Sequence, residues 1–173
     1  MSRLVFITGG ARSGKSAYAQ RRCEELGAPC LYVATATVGD EEMAARVARH
    51  RKARGEGWQT LEEPLNLAER LPRAVSGCRA VLLDCLTLWL SNRYFADGED
   101  AAVTLEQAGK LAETLRGLDV PVFVVSNELG CGIVPDNPLA RAFRDLAGEV
   151  NQLFAGAADE AWLVASGLPL RLK

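Results

Sequence analysis

The segment RLVFITGGARSGKS, residues 3–16, constrains the chain more than any other. Leu4–Ile7 is a short unbroken apolar run and reads as a buried strand. Four residues separate Gly9 from Gly14-Lys15-Ser16, and the following KSAYAQRRCEELG reads as a helix. A strand, a glycine loop of this spacing and a helix together make the phosphate-binding G-x-x-x-x-G-K-S pattern. The residue types follow from the chemistry. Glycines let the backbone turn so that successive N–H groups converge on phosphate oxygens, and the helix N-terminus adds partial positive charge. Lys15 reaches the β- and γ-phosphates, and the Ser16 hydroxyl faces Mg²⁺.

The rest of the chain alternates strands with helices. CLYVATA reads as a second strand, AVLLDC as a third, PVFVVSN as a fourth and EAWLVAS as a fifth, with the tail LPLRLK alternating like an edge strand. Helices are expected over 40–54, within EPLNLAERL, across LTLWLSNRYF, over 103–117 and over 138–155; DGED reads as a turn and ELGCGIVPDNP as a loop. The strands are continuously apolar, which is the mark of a sheet covered on both faces. The expected fold is a three-layer α/β domain of the P-loop NTPase type with a mostly parallel central sheet, formed by residues 1–173 as one unit.

Composition narrows the function. Twenty Lys and Arg against 22 Asp and Glu give a net charge of −2, so there is no overall basic excess for nucleic acid. No run of 18 apolar residues is present and no signal peptide is expected. The five cysteines, Cys23, Cys30, Cys78, Cys85 and Cys131, show no C-x-x-C or metal-ligand spacing and read as reduced thiols of a cytoplasmic protein.

Two further features bear on chemistry. Asp84 ends AVLLD, where a carboxylate beside a phosphate loop can hold Mg²⁺ or its water shell; the alternative is that Asp84 caps the next helix. The second feature is His50, the one histidine in the chain, set among Arg46, Arg49, Arg51, Lys52 and Arg54. On a helix Arg46, His50 and Arg54 share a face. Neighbouring positive charge disfavours imidazolium, so the ring stays neutral at pH 7, as a nucleophile requires, while the cations bind the polyphosphate under attack. A solvent-exposed histidine on a basic helix is the plain alternative.

GGARSGKS, YVATA, DEEMAARVARHRKARGEGWQTLEEP, LLDCLTLWLSN and VSNELGCGIVPDNP, in this order, resemble one family nearly end to end. It is the bifunctional adenosylcobinamide kinase / adenosylcobinamide-phosphate guanylyltransferase family of cobalamin biosynthesis. The resemblance implies phosphorylation of adenosylcobinamide with ATP or GTP, then transfer of GMP from GTP to the resulting phosphate through a guanylyl group on a histidine that matches His50. It also implies nucleotide contacts from Gly9, Gly10, Ala11, Arg12, Ser13, Gly14, Lys15 and Ser16, and from Ala34, Thr35 and Ala36. Further contacts are implied for Arg51, Lys52, Ala53 and Arg54, and for Glu62 and Asp84. A homotrimer is implied as well. Some relatives carry Glu where this chain has Asp84. Asp84 and Glu128 are the candidate bases for the acceptor hydroxyl.

Rival readings make distinct predictions. A small-metabolite P-loop kinase without nucleotidyl transfer has no need of His50. A nucleotide-gated binding protein binds tightly and turns over negligibly. The regulatory GTPases' Asn-Lys-x-Asp motif is absent, and nucleic-acid binding is disfavoured because no aromatic residue interleaves with the cations of 40–54.

Overall fold

The computed structural model describes residues 3–36 and 55–173. Among them run β1 (Leu4–Thr8), α1 (Lys15–Glu24), β2 (Cys30–Ala34), β3 (Trp58–Glu62), α2 (Leu67–Ala74), β4 (Ala80–Asp84), α3 (Leu86–Ala96), α4 (Ala101–Arg116), β5 (Val122–Val125), α5 (Pro138–Ala157), β6 (Glu160–Ala165) and β7 (Leu168–Arg171). The strands form one seven-stranded sheet in the order β3-β2-β4-β5-β1-β6-β7. Only β7 runs antiparallel to its neighbour.

The apolar strand runs explain the layering. Alternate residues of each strand face opposite sides of the sheet. Leu4, Phe6, Val81, Leu83, Val122 and Val124 pack with α2, α3, α4 and α5. Val5, Ile7, Leu82, Phe123 and Val125 pack with Tyr18, Ala19 and Cys23 of α1. The expected three-layer α/β architecture is therefore present, and no described helix is long and apolar enough to cross a membrane.

Differences from the expected elements are local. β3 was not expected as a strand. It is a short, half-buried edge strand, Trp58-Gln59-Thr60-Leu61-Glu62, with two apolar residues among three polar ones, a weaker signal than a continuous apolar run. α4 begins two residues before the expected start because Asp100, inside DGED, accepts hydrogen bonds from Ala102 N (2.9 Å) and Val103 N (3.1 Å). The helix expected over 40–54 lies outside the described residues.

Topology locates the ligand crevice. From β1 the chain leaves across α1 toward β2, past β5 and β4; from β5 it leaves across α5 toward β6, on the other side of β1. The loops after β1 and β5 thus diverge from adjacent strands, and open α/β sheets bind ligands at such a point.

Candidate active site

The loop after β1 has the backbone its glycines allow. Gly9 takes φ 152°, and a Cβ there would lie 2.3 Å from Val164 O and 2.8 Å from Ser13 Oγ. Gly14, at φ 96°, precedes α1, and a Cβ there would stand 3.1 Å from Gly167 Cα. No side chain caps α1, so its first-turn N–H groups remain available to an anion. Lys15 is buried, and its ammonium donates to Gly10 O at 2.9 Å, which lays the side chain back across the loop. The β6–β7 turn braces the loop from below, where Gly167 N donates to Ser13 O at 2.8 Å. Gly10, Ala11 and Arg12 are exposed, Ser13 is buried and Ser16 is half-buried. Thr8 Oγ1 and Ser13 Oγ are buried with no hydrogen-bond partner among the described residues.

Asp84 is half-buried at the end of β4, in register with Val125 of β5 and Ala34 of β2. It is not a helix cap: Cys85 holds the N-cap position of α3, and no side chain caps that helix. Tyr32 OH donates to Asp84 Oδ2 at 3.5 Å. Burial pushes the Cys85 thiol up to about 11; the Asp84 carboxylate adds to the rise and the Lys15 ammonium opposes it. Both charges are therefore felt at one point beside the strand ends.

Thr35 has a structural task. It is fully buried, its hydroxyl donates to Cys85 O (2.7 Å) and accepts from Cys85 N (3.0 Å), and its carbonyl accepts from Asn92 Nδ2 (2.8 Å). Asn92 also donates to Pro64 O at 3.2 Å, so one amide ties together the segments after β2 and β3. Nothing in the surrounding LSNRYF marks Asn92 in the sequence. Ala34 is buried and Ala36 half-buried beside Thr35. Glu62 is exposed at the end of β3, four strand positions from β1. At the usual spacing that is about 19 Å, so Glu62 is remote from the phosphate end of the site. His50, Arg51, Lys52, Ala53 and Arg54 lie outside the described residues.

The segment after β5 closes the crevice. Glu128 N donates to Gly9 O at 3.0 Å, joining this segment to the phosphate loop. The Glu128 carboxylate turns onto its own loop and accepts from Gly130 N at 2.6 Å, while Arg144 of α5 donates to Gly130 O. Beneath lies a largely buried polar group that the sequence does not reveal. Thr87 and Ser126 hydroxyls meet at 3.2 Å, Ser126 donates to Asn151 Oδ1 at 2.7 Å, and Asn127 N donates to Thr87 Oγ1 at 2.8 Å. Asn151 Nδ2 completes it by donating to Asn127 O at 3.1 Å.

Among the described residues no three His, Cys, Asp or Glu side chains cluster as a metal cage. Mg²⁺ does not need one, since one or two oxygen ligands with substrate phosphates and water suffice. The hydroxyl of Ser16 and the strand-end carboxylate of Asp84 are the oxygen donors that fit.

A parallel α/β sheet with a glycine phosphate loop, a buried lysine lying across it and a carboxylate on a nearby strand end defines a P-loop NTPase-like protein. The chain belongs to the cobinamide kinase / cobinamide phosphate guanyltransferase family, CobU, whose sequence profile matches residues 5–172. It is 40% identical to the bifunctional adenosylcobalamin biosynthesis protein CobU of Escherichia coli K12, over 98% of this chain and 99% of that protein. It is 43% identical to the bifunctional adenosylcobalamin biosynthesis protein CobP of Pseudomonas aeruginosa, over 96% of this chain and 95% of that one. The CobU protein of Salmonella typhimurium is 40% identical over the same shares as the first. The protein is thus an enzyme with two activities, a cobinamide kinase and a cobinamide phosphate guanyltransferase.

Proposed function

We propose that the protein phosphorylates adenosylcobinamide with ATP or GTP, and then transfers GMP from GTP to adenosylcobinamide phosphate through a covalent guanylyl group on His50. The observation that carries this reading is the phosphate loop itself. Lys15 lies across it, α1 presents uncapped N–H groups at its end, and Asp84 stands on a nearby strand.

In the kinase step the loop N–H groups and Lys15 hold the β- and γ-phosphates and stabilise charge as the γ-phosphoryl group leaves. Asp84, at the end of β4, and Glu128, after β5, are the candidate bases for the acceptor hydroxyl, with Glu128 the base where Asp84 is engaged with Mg²⁺. Ser16 and Asp84 would hold Mg²⁺, which would supply neutralisation of the phosphate charge. In the guanylyl step a neutral His50 imidazole nitrogen attacks the α-phosphorus, the bond to the β-phosphate oxygen breaks, and pyrophosphate departs. A phosphate oxygen of adenosylcobinamide phosphate then attacks the same phosphorus and the P–N bond breaks. Arg51, Lys52, Arg54 and Glu62 are assigned to the nucleotide beyond the phosphate loop.

A cytoplasmic homotrimer is part of the same reading. Its support is apolar surface that self-association would cover: Leu168, Leu170 and Leu172 along the β7 edge, and Ile133 and Val134 in the loop after β5, are all exposed.

The two steps separate genetically. Lys15→Ala should lose both activities, whereas His50→Ala should keep phosphorylation of adenosylcobinamide and lose its conversion to adenosylcobinamide-GDP. Full guanylyl transfer by His50→Ala would refute the covalent route and leave direct transfer.

A further inference from the structure

The geometry points to Asn127 as a phosphate-contacting residue that reads the terminal phosphate of the bound triphosphate, held in place by the buried Thr87 and Ser126 and the half-buried Asn151. This rests on the reading of residues 9–16 as the phosphate cradle.

The first observation is the ladder. Val122 N donates to Arg3 O at 2.8 Å, Ser126 N to Ile7 O at 2.9 Å and Glu128 N to Gly9 O at 3.0 Å. The pairing of β5 with β1 therefore runs on past Val125 without slipping, and side-chain alternation continues with it. Val122 and Val124 face the α2–α5 layer, and Ser126 on the same side bonds Thr87 and Asn151. Phe123 and Val125 face α1, so Asn127 falls on the α1 side, the side of Lys15.

The second observation is position. Asn127 stands level with Gly9 and two residues beyond Val125, which is the register partner of Asp84. The Lys15 ammonium sits on Gly10 O and marks the β/γ end of the cradle. Asn127 is next to that end, one residue from the N–H that grips Gly9.

The third observation is the amide itself. Asn127 is half-buried, and its side chain makes no hydrogen bond among the described residues, whereas its backbone N–H and C=O are both taken by side chains, Thr87 and Asn151. A main chain fixed at both polar groups, by the buried Thr87 and the half-buried Asn151, and carrying an amide with no partner is arranged to present a donor outward. Asn151, Ser126 and Thr87 act through Asn127 and are positioning residues.

The test is calorimetric titration with Mg²⁺ of α,β-methylene GTP, which cannot release pyrophosphate, against the matching α,β-methylene diphosphate. One charge-assisted hydrogen bond predicts a loss of about tenfold or more in triphosphate affinity for Asn127→Ala, with diphosphate affinity within about twofold of the parent. Asn127→Asp keeps the shape and should lose more, because a carboxylate opposes the added phosphate. Asn151→Ala should show a weaker version of the same selective loss. Equal weakening of both nucleotides, or no weakening, in Asn127 variants that melt like the parent overturns the proposal. Lys15→Ala is run alongside: if it weakens both nucleotides while Asn127→Ala weakens neither, the cradle stands and Asn127 has no part in it. If Lys15→Ala leaves both affinities intact, the cradle reading falls and the proposal with it.

Discussion

Gly9→Ala is the sharpest test of the loop geometry, because its effect can be worked out beforehand. The alanine must hold φ 152°, where an L side chain is strained, at a cost on the order of 1–2 kcal/mol. Its methyl also arrives 2.3 Å from Val164 O. That oxygen belongs to the backbone of β6 and cannot rotate aside, so the contact behaves like overpacking, at about 1–3 kcal/mol. Together these predict a loss of about 3 kcal/mol, or roughly 6–12 °C in melting temperature for a chain of this length. Gly10→Ala is the internal control. Gly10 is exposed, has no left-handed φ and would meet nothing within 4 Å. Its stability should stay within about 0.5 kcal/mol of the parent. Urea unfolding of both variants, followed by the fluorescence of Trp58, Trp89 and Trp162, makes the comparison directly. If the chain relieves the clash by moving the loop about 1 Å, kinase activity should also fall on the order of 100-fold. Indistinguishable unfolding midpoints for the two variants would refute the close approach of loop and β6.

Other expectations follow from buried polar groups. Thr35→Val leaves the N–H and C=O of Cys85 without their buried partner and should cost about 2–3 kcal/mol in urea unfolding. Glu160 is buried, takes Arg3 and Arg22 and accepts from Trp162 Nε1 at 2.8 Å. Glu160→Ala should cost about 3 kcal/mol, at the low end for a broken buried pair because Arg3 is half-exposed and screened by solvent. Burial pushes the Cys30 and Cys85 thiols up to about 11 and raises those of Cys23 and Cys78 as well. Above about pH 9 the unfolded chain loses these protons while the folded one keeps them, so stability is full below pH 9 and falls steadily toward pH 11. A flat stability profile across that range would contradict the burial of the thiols.

Much of the fold was legible because the central strands are apolar on both faces and cannot be mistaken for alternating ones. The phosphate loop was legible because its glycines, Lys15 and Ser16 are close in sequence and flanked by the right elements. β3 was missed because it carries only two apolar residues, Trp58 and Leu61, one packed on each face of the sheet, and a short polar-rich run shows little period. The largely buried group of Thr87, Ser126 and Asn151 was invisible for another reason. Its members come from three elements up to 64 residues apart, and ordinary polar residues acquire their meaning only when the sheet brings them together. Thr35 illustrates the limit in the other direction. Its place among the expected nucleotide contacts follows from resemblance, but its hydroxyl already donates to and accepts from the backbone of Cys85.

Both steps of the proposed guanylyl transfer converge on His50, which carries the guanylyl group to adenosylcobinamide phosphate. The measurement is incubation of the protein with Mg²⁺ and GTP labelled at the α-phosphate, followed by assay for an acid-labile, base-stable protein adduct, with His50→Ala in parallel. The parent should carry label and the variant none, and the label should leave as adenosylcobinamide-GDP when adenosylcobinamide phosphate is added. Folded parent protein that forms adenosylcobinamide-GDP without ever holding the label would contradict the covalent route.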